Sequence, residues 1–328
     1  MSKHAVVSQI LPFSCVDGPG SRLVIFLQGC NYQCKNCHNP HTISLCDACG
    51  DCIDSCPEQA LSLIHSQAMP LPQLRSQEMS LHGDPIPVNH SPISSPCISP
   101  SSSPSKPHIV WDSTKCSQCD TCITVCPRQS TPKTSHYSVE TMLEVIYGRR
   151  HFINGITLSG GEASLQLPFI IELFSAIKSS EHLSHLSCML DTNGSLSSTG
   201  WHKLLPFLDG AMVDLKAWQQ DTHHYITGRD NHSVFTSIEL LAQHNKLYEV
   251  RLLHIPGITD YEHDIDALGG YLSNLPTETR VKLNAFHHHG VIGVGSTWPQ
   301  CTQADIARLA NQLTQRGVTN IVLPSLYI

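Results

Sequence analysis

Short apolar segments alternate with longer amphipathic segments along this chain from Ser138 onward. Apolar runs bounded by polar residues predict strands, whereas apolar residues at helical spacing predict helices. The predicted strands cover residues 22–28, 156–159, 188–191, 211–215, 250–255, 281–286 and 320–323. The predicted helices include residues 139–147, 168–179, 201–207, 233–245 and 302–316. Repeated alternation of this kind predicts an α/β protein with a parallel sheet under helical cover.

Polar residues recur at the ends of these predicted strands. The polar residues are Glu162, Asp191, Thr192, Asn193, Asp214, Lys216 and His287, with Arg251 inside a strand. Gly160 and Gly161 directly precede Glu162. Loops at the C-terminal ends of strands build the active site of a β/α barrel. An open sheet would fit the alternation alone equally well, but the recurrence of polar strand ends favours a barrel-like core.

The first predicted strand leads directly into Cys30, Cys34 and Cys37, which are spaced C-x3-C-x2-C. A [4Fe-4S] cluster needs a ligand on each of its four irons, so three thiolates leave one iron open. A catalytic zinc site keeps an open position for substrate in the same way. A zinc site built from these cysteines and His38 is the alternative interpretation.

Two further cysteine runs each spell C-x2-C-x2-C-x3-C-P, the pattern of bacterial ferredoxins. In that pattern the fourth cysteine of each run binds the other cluster. The ligands predicted for the first insert cluster are Cys46, Cys49, Cys52 and Cys126. Those predicted for the second are Cys116, Cys119, Cys122 and Cys56.

The two runs define an inserted ferredoxin-like domain at residues 43–133, between core segments 1–42 and 134–328. Within the insert, a Pro-, Ser- and His-rich stretch at about 66–108 cannot bury enough apolar surface to order itself, so we expect a flexible loop. Cys97 lies in this loop. Because both runs are complete without it, we expect Cys97 to be a spare thiol.

Composition narrows the classes of partner. The net charge is −7 and 14% of the 328 residues are charged, which argues against the basic footprint of a nucleic-acid-binding protein. We find no apolar run of the ~18 residues that a membrane span needs, and no signal peptide. Disulfides are rare in the cytosol, so the 15 cysteines favour cluster binding in a cytoplasmic protein.

Together these motifs resemble the radical S-adenosylmethionine (SAM) superfamily, specifically the glycyl-radical-enzyme activating enzymes, such as that of pyruvate formate-lyase, with a two-cluster ferredoxin insert. The resemblance covers nearly the whole chain except the Ser/Pro-rich loop. It implies a partial (β/α)6 TIM-like radical SAM barrel, three [4Fe-4S] clusters, and SAM chelated to the open iron.

The resemblance also implies the reaction. Reductive cleavage of SAM gives methionine and a 5'-deoxyadenosyl radical, which abstracts a glycine α-hydrogen from a partner enzyme. Flavodoxin or ferredoxin would supply the electron, and the insert clusters would relay it or shape the docking surface. We expect a monomer that binds neither nucleic acid nor membrane. We expect the cluster and SAM to carry the chemistry, with no residue acting as a catalytic acid or base.

Residue roles follow from the same resemblance. The residues matched to SAM contacts are Gly160, Gly161, Glu162, Asp191, Thr192, Asn193, Asp214, Lys216, Arg251 and His287. His288 and His289 follow His287, so the register there could shift by one residue. In one relative, the positions matching Asp191, Thr192, Met212 and Asp214 hold a monovalent cation.

Two positions depart from the family pattern. Asn36 replaces the aromatic residue that many radical SAM triads place before the last cysteine, and Ala163 replaces a proline that often follows Gly-Gly-Glu. These changes leave the cofactor unchanged but alter the expected packing around adenine.

Two other functions fit parts of the sequence. One is a radical SAM enzyme that modifies a peptide or small molecule and uses the extra clusters for substrate oxidation. The other is a non-catalytic electron carrier or redox sensor, which would explain the ferredoxin runs but not the separate triad.

Overall fold

The structure is a computed structural model that describes residues 4–64 and 107–324. Almost all of the predicted flexible loop, including Cys97, lies outside the described residues. The strands are β1 His4–Ser14, β2 Arg22–Leu27, β3 Leu61–Ile64, β4 His108–Trp111, β5 Ser135–Ser138, β6 Gly155–Gly160, β7 Ser187–Thr192, β8 Gly210–Leu215, β9 Leu247–His254, β10 Arg280–Ala285 and β11 Ile321–Val322. The α-helices are α1 Thr121–Thr124, α2 Val139–Tyr147, α3 Leu167–Ser179, α4 Ser198–Leu204, α5 Gln220–Thr227, α6 His232–Gln243, α7 Ile265–Ser273 and α8 Gln303–Thr314.

The main sheet has the order β11-β10-β9-β8-β7-β6-β2-β1-β5. Strands β2 and β6 to β11 are parallel, whereas β1 runs antiparallel to β2, and β5 antiparallel to β1. Ser8 of β1 and Asn284 of β10 line the same cavity although their strands are far apart in this order. The sheet therefore curls around a central space, and the predicted partial barrel is confirmed.

Burial of both faces explains why the parallel strands are apolar along most of their length. Strands β6 and β8 are buried at almost every position because helices cover one face and the barrel interior takes the other. Helix α3 turns an apolar stripe inward, with Phe169, Leu173 and Ile177 fully or almost fully buried. This pattern positions the C-terminal strand ends around the cavity.

Several elements differ from the sequence prediction. The structure adds β1, which pairs along β2, and the helices α5 and α7, for which we predicted no element. The last predicted strand shortens to Ile321–Val322. The other predicted elements are present with ends displaced by a few residues, and α2 has the predicted bounds.

The cysteine-rich segment has its own small core. Strands β3 and β4 form a separate antiparallel pair, and Cys52, Leu61 and Cys122 pack together beside them. Ser130 donates from its hydroxyl to the carbonyl of Ser44, linking the two sides of the segment. The boundaries 43–133 stay a prediction. Within the described residues, no helix combines the length and apolarity needed to cross a membrane.

Candidate functional site

A cavity of about 1280 Å³ lies at the C-terminal ends of the parallel strands. Its walls include every residue that the motifs predicted for the open-iron site and for SAM. They are Cys30, Cys34, Cys37, Gly160, Gly161, Glu162, Asp191, Thr192, Asn193, Asp214, Lys216, Arg251 and His287. Residues spread over more than 250 positions of sequence are thus brought together by the barrel.

The backbone around the triad is held by hydrogen bonds to neighbouring segments. The Cys30 amide donates to the carbonyl of Ile43 at 2.9 Å, and the Lys35 amide donates to the carbonyl of Ile226 at 2.9 Å. The Tyr32 amide donates to the Cys30 sulfur at 3.4 Å, which would stabilise a thiolate there. The three cysteines therefore lie on a fixed loop.

Burial controls the protonation of the triad. It raises the pKa of Cys30 to about 11 and that of Cys34 to about 12, and it also raises the pKa of Cys37. The positive charge of Lys216 partly opposes the shift at all three thiols. Without a metal the thiols are protonated near neutral pH, so cluster assembly must displace their protons.

The ligands of the zinc alternative do not converge. Among residues 4–64 and 107–324, no group of three or more His, Cys, Asp or Glu side chains gathers as the ligands of one metal ion do. A four-iron cluster binds each thiolate at a different iron, so it needs no such convergence. His38 instead stacks on His287 with ring centroids 4.2 Å apart, and its Nε2 lies 3.2 Å from the His287 carbonyl oxygen.

Gly160 and Gly161 allow β6 to approach the segment that leads to the triad. Gly160 has φ +126°, and a Cβ there would lie 2.1 Å from the Leu27 carbonyl oxygen. A Cβ on Gly161 would lie 2.3 Å from the Gly29 carbonyl oxygen. The family resemblance matched both glycines to SAM contacts. The structure adds that they make room for the backbone that precedes Cys30.

Glu162 is almost completely buried and joins the ends of β6 and β7. Its carboxylate accepts from the Thr192 hydroxyl at 2.8 Å, the Asn193 amide at 2.7 Å and the Ser164 amide at 3.1 Å. Burial raises the pKa of this carboxyl group. A carboxylate offers about four acceptor sites, so one remains for a ligand ammonium group.

Arg251 is ion-paired with two acidic side chains. It donates to Asp191 at 2.8 Å and to Glu249 at 2.7 Å, and its third contact is the Met212 sulfur at 3.0 Å. The hydroxyl of Ser159 also donates to Asp191, at 2.9 Å. Burial nevertheless raises the pKa of Asp191. The guanidinium group therefore already contacts two of the residues predicted to hold a monovalent cation.

Asp214 and Lys216 form a further ion pair that is partly buried, with Nζ 2.7 Å from Oδ2. Burial alone would raise the pKa of Asp214, but Lys216 and Arg251 lower it. Burial alone would lower the pKa of Lys216, but Asp214 holds it above its usual value. Both side chains are therefore charged beside the triad.

The structure also separates the three consecutive histidines. His287 lines the cavity, whereas the Nε2 of His288 lies 2.7 Å from the Trp298 carbonyl oxygen. His289 is not among the lining residues. This geometry favours the register in which His287 faces the ligand.

Sequence reasoning missed several other wall residues. Asp17 lies in the loop after β1, where the Thr157 hydroxyl donates to its carbonyl oxygen at 2.6 Å. Tyr32 and Phe286 supply aromatic rings. In the sequence, Asp17 lies in a Gly/Pro-rich turn before Arg22. Because β1 was not predicted, nothing indicated that this turn lies beside the cavity.

The insert cysteines gather in two small cavities with the predicted crossed pattern. One is lined by Cys46, Cys49, Cys52 and Cys126. The other is lined by Cys116, Cys119, Cys122 and Cys56. Trp111, Asp120 and Lys133 line both the second cavity and the main cavity, and Lys133 is ion-paired with Asp120. The insert therefore forms part of the wall of the main site.

Family comparisons define the class of protein as an iron–sulfur protein. The model of the 4Fe-4S dicluster domain family matches residues 45–131, which contain both ferredoxin runs. The model of the 4Fe-4S single cluster domain family matches residues 112–234.

Curated relatives narrow the class. The chain is 25% identical over 287 residues to the pyruvate formate-lyase-activating enzyme of Streptococcus mutans, covering 87% of this chain and 78% of the relative. It is 23% identical over 346 residues to the indoleacetate decarboxylase activating enzyme of Tractidigestivibacter scatoligenes, covering 97% of each. It is 23% identical to the 4-hydroxyphenylacetate decarboxylase activating enzyme of Clostridium scatologenes, covering 75% of this chain and 70% of the relative. The predicted resemblance to radical SAM activating enzymes of glycyl radical enzymes is confirmed.

Proposed function

We propose that this chain activates a partner glycyl radical enzyme by radical SAM chemistry. The observation that carries the proposal is the single cavity that gathers the Cys30 triad with the residues matched to SAM contacts. When bound, the cluster supplies one electron that cleaves SAM to methionine and a 5'-deoxyadenosyl radical, which abstracts a glycine α-hydrogen. Similarity to activating enzymes of pyruvate formate-lyase and two decarboxylases supports this activity.

The donor set fits a cluster with one open iron. Cys30, Cys34 and Cys37 supply three partly buried thiols on a fixed loop, and the Tyr32 amide already points at the Cys30 sulfur. Lys216 adds a positive charge beside the thiols, which favours their ionised forms. These residues would hold the cluster and leave its fourth iron to the amino and carboxylate groups of SAM.

The charged walls suit the zwitterionic end of SAM. The remaining acceptor site of Glu162 can take a hydrogen bond from an ammonium group. Lys216 can pair with a carboxylate as a compact point charge, in addition to Asp214. Both groups are held in place by protein partners, so they orient the methionine end without needing to move.

The size of the cavity leaves room for the partner. Pockets for small ligands usually measure about 300–1,000 Å³, and this cavity measures about 1280 Å³. The additional space suits a backbone segment of the partner enzyme. The glycine of the partner that would lose its hydrogen has no side chain, so its backbone can approach the reacting atoms closely.

We propose that the insert holds two fully ligated [4Fe-4S] clusters, which bring the total to three. The two small cysteine cavities and the match to a dicluster domain support this number. The second insert cavity shares Trp111, Asp120 and Lys133 with the main cavity. This shared wall supports a role in delivering electrons to the SAM cluster from flavodoxin or ferredoxin.

A monovalent cation would share its site with the guanidinium group of Arg251. Arg251 donates to Asp191 and to the Met212 sulfur, so its guanidinium already supplies positive charge at the predicted position. A cation there would need Asp214 and Thr192 to supply the other ligands. Bound Na⁺ or K⁺ would then compete with Arg251 for Asp191.

We further propose a monomer in the cytoplasm, where thiols stay reduced and cluster assembly is possible. The 15 cysteines of the chain support that compartment. We propose no contact with membranes or nucleic acid, and the net charge of −7 supports the latter.

Anaerobic reconstitution tests the function. Full loading should give about twelve irons per chain, for three four-iron clusters, and the Cys34→Ser variant should hold about eight. Incubation with reductant, SAM and the partner should then produce a glycine-centred radical in the electron paramagnetic resonance (EPR) spectrum. SAM cleavage without that signal would instead support a radical SAM enzyme acting on a peptide or small molecule. No SAM cleavage would support an electron carrier.

A further inference from the structure

The indole of Trp111 carries a buried donor that has no partner in the surrounding protein. Trp111 ends strand β4, and its Nε1 is buried without a hydrogen-bond partner among residues 4–64 and 107–324. An indole nitrogen can only donate. Burying such a donor without a partner destabilises a fold, and phenylalanine would fill similar space without that cost. The donor therefore indicates an acceptor that these residues do not supply.

Trp111 is held beside the cysteines of the second insert cavity. It pairs with Leu61 across strands β3 and β4, and the Asp112 amide donates to the Ala60 carbonyl at 2.8 Å. The amide of Ala60 in turn donates to the Cys56 sulfur at 3.3 Å. The indole also packs against the small core of the insert. Backbone pairing thus fixes the ring next to a predicted cluster ligand.

Burial of Nε1 indicates which cavity the donor faces. Trp111 lines the main cavity and the second insert cavity, but not the first insert cavity. The main cavity of about 1280 Å³ admits water, so a donor pointing into its open space would be exposed to solvent. Because Nε1 is buried, it faces the other cavity that Trp111 lines. That cavity is formed with Cys56, Cys116, Cys119 and Cys122.

Sulfur atoms of the second insert cavity already lie close to donors of the chain. The Gln118 amide donates to the Cys116 sulfur at 3.4 Å, and the Cys119 sulfur lies 3.3 Å from the Thr121 hydroxyl oxygen. Hydrogen bonds to the sulfurs of an iron–sulfur cluster help to set its reduction potential. A donor interacts more strongly with the more negative, reduced state, so each such bond raises the potential.

We propose that the Trp111 indole donates a hydrogen bond to a sulfur atom of the second insert cluster and raises the reduction potential of that cluster. The inference rests on the two insert clusters of the proposed function and deepens their role. Since Trp111 does not line the first insert cavity, the two clusters differ in this donor. An electron from flavodoxin or ferredoxin would then be held at the cluster that shares Trp111, Asp120 and Lys133 with the main cavity.

A redox titration followed by EPR tests the proposal on the full-length, anaerobically reconstituted Cys34→Ser variant. This variant lacks the SAM cluster, so the insert clusters give the signals. Adding Trp111→Phe keeps an aromatic ring and removes the N–H donor. The reduction equilibrium of the second cluster should shift about 3- to 10-fold towards the oxidised form. For a one-electron couple, a tenfold shift is about 59 mV. The first cluster should keep its potential.

Isotope labelling gives a second readout that needs no substitution of Trp111. Electron–nuclear double resonance on protein labelled with ¹⁵N at the indole nitrogens should show a ¹⁵N coupling to the reduced second cluster. The signal that changes in Cys119→Ser identifies that cluster. All four tryptophans lie within residues 4–64 and 107–324, and of these only Trp111 lines an insert cavity. This readout decides the question if Trp111→Phe does not assemble.

Trp218→Phe is the matched control, because it makes the same chemical change at a distant site. Trp218 packs against Phe235 and Tyr271, with ring centroids 5.3 Å and 5.6 Å away, and lines none of the three cavities. Both insert clusters should keep their potentials in this variant. Iron content shows whether each variant is assembled.

The outcomes separate this inference from the proposals on which it rests. Absence of insert-cluster signals from reconstituted Cys34→Ser would overturn the insert clusters and the role of Trp111 with them. Unchanged potentials in Trp111→Phe, or absence of the ¹⁵N coupling, would overturn only the role of Trp111. Activation of the partner at the triad is tested separately, by the glycine-centred radical.

Discussion

Glu162 has two tasks at the scale of single residues. Its carboxylate accepts from Thr192 and Asn193, which belong to the end of β7 and the loop beyond it, while the residue lines the cavity. The motif predicted the second task from a Gly-Gly-Glu sequence after a strand. The first could not be predicted, because it depends on which strand lies beside β6.

Replacing Glu162 with glutamine should weaken SAM binding. The amide has no negative charge for an ammonium group, and its nitrogen would face the donors of Thr192 or Asn193. Hydrogen bonds to charged groups contribute about 1.5–3 kcal/mol, so the dissociation constant should rise about 10- to 140-fold. Titration calorimetry on the reconstituted protein measures the change.

Glu181→Gln is the control, because Glu181 is exposed and remote from the cavity walls. It should leave the dissociation constant unchanged. Wild-type affinity in Glu162→Gln would show that this carboxylate does not contact SAM.

At the scale of elements, the end of β6 and the end of β2 fit together only because glycine occupies both Gly160 and Gly161. A side chain at either position would overlap backbone atoms of Leu27 or Gly29. Backbone atoms cannot rotate away as a flexible side chain can. The strand ends would have to separate, and the triad loop follows β2 directly.

Gly161→Ala should therefore lower the iron bound by the triad while the insert clusters remain. We expect iron content to fall from about twelve towards about eight per chain, with loss of SAM binding. Gly270→Ala in α7 is the matched control, since a Cβ there meets nothing within 4 Å. It should keep full iron and stabilise the fold by about 0.4–1 kcal/mol. Full triad iron in Gly161→Ala would contradict the packing argument.

The predictability of each element depended on how it is buried. Strands β6 and β8 are mostly apolar because both of their faces are covered, so each could be predicted from a short run of apolar residues. Strand β1 is only partly buried and its apolar residues are interrupted by Ser8 and Gln9, so its pattern was weak. Helix α5 buries His223 among few apolar residues and therefore lacks a clear stripe.

At the scale of the whole molecule, the insert and the barrel share one wall. Lys133 and Trp111 face both the second cysteine cavity and the main cavity. The cysteine runs predicted two clusters and their crossed ligands from sequence alone. Their position beside the barrel could not be predicted, because it depends on contacts such as the hydrogen bond that the Gln28 side-chain amide donates to the Ser44 carbonyl.

An electron relay through the insert makes a separate prediction. Cys119→Ser should slow activation by reduced flavodoxin or ferredoxin at least tenfold. It should have little effect with a strong small-molecule reductant, because such a reductant can reach the SAM cluster directly. Cys15→Ser is the control, since Cys15 is exposed and lies outside all three cavities. Equal rates with the protein donor would contradict a relay and favour a docking role for the insert.

Transfer of deuterium shows directly whether the radical takes its hydrogen from a glycine of the partner enzyme. The partner glycyl radical enzyme is produced with glycine deuterated at the α-carbon and incubated anaerobically with the reconstituted protein, reductant and SAM. We expect deuterium in the 5'-deoxyadenosine product, measured by mass spectrometry, together with a glycine radical. If every glycyl radical enzyme encoded in the same genome gives 5'-deoxyadenosine without deuterium and no radical, the claim is contradicted.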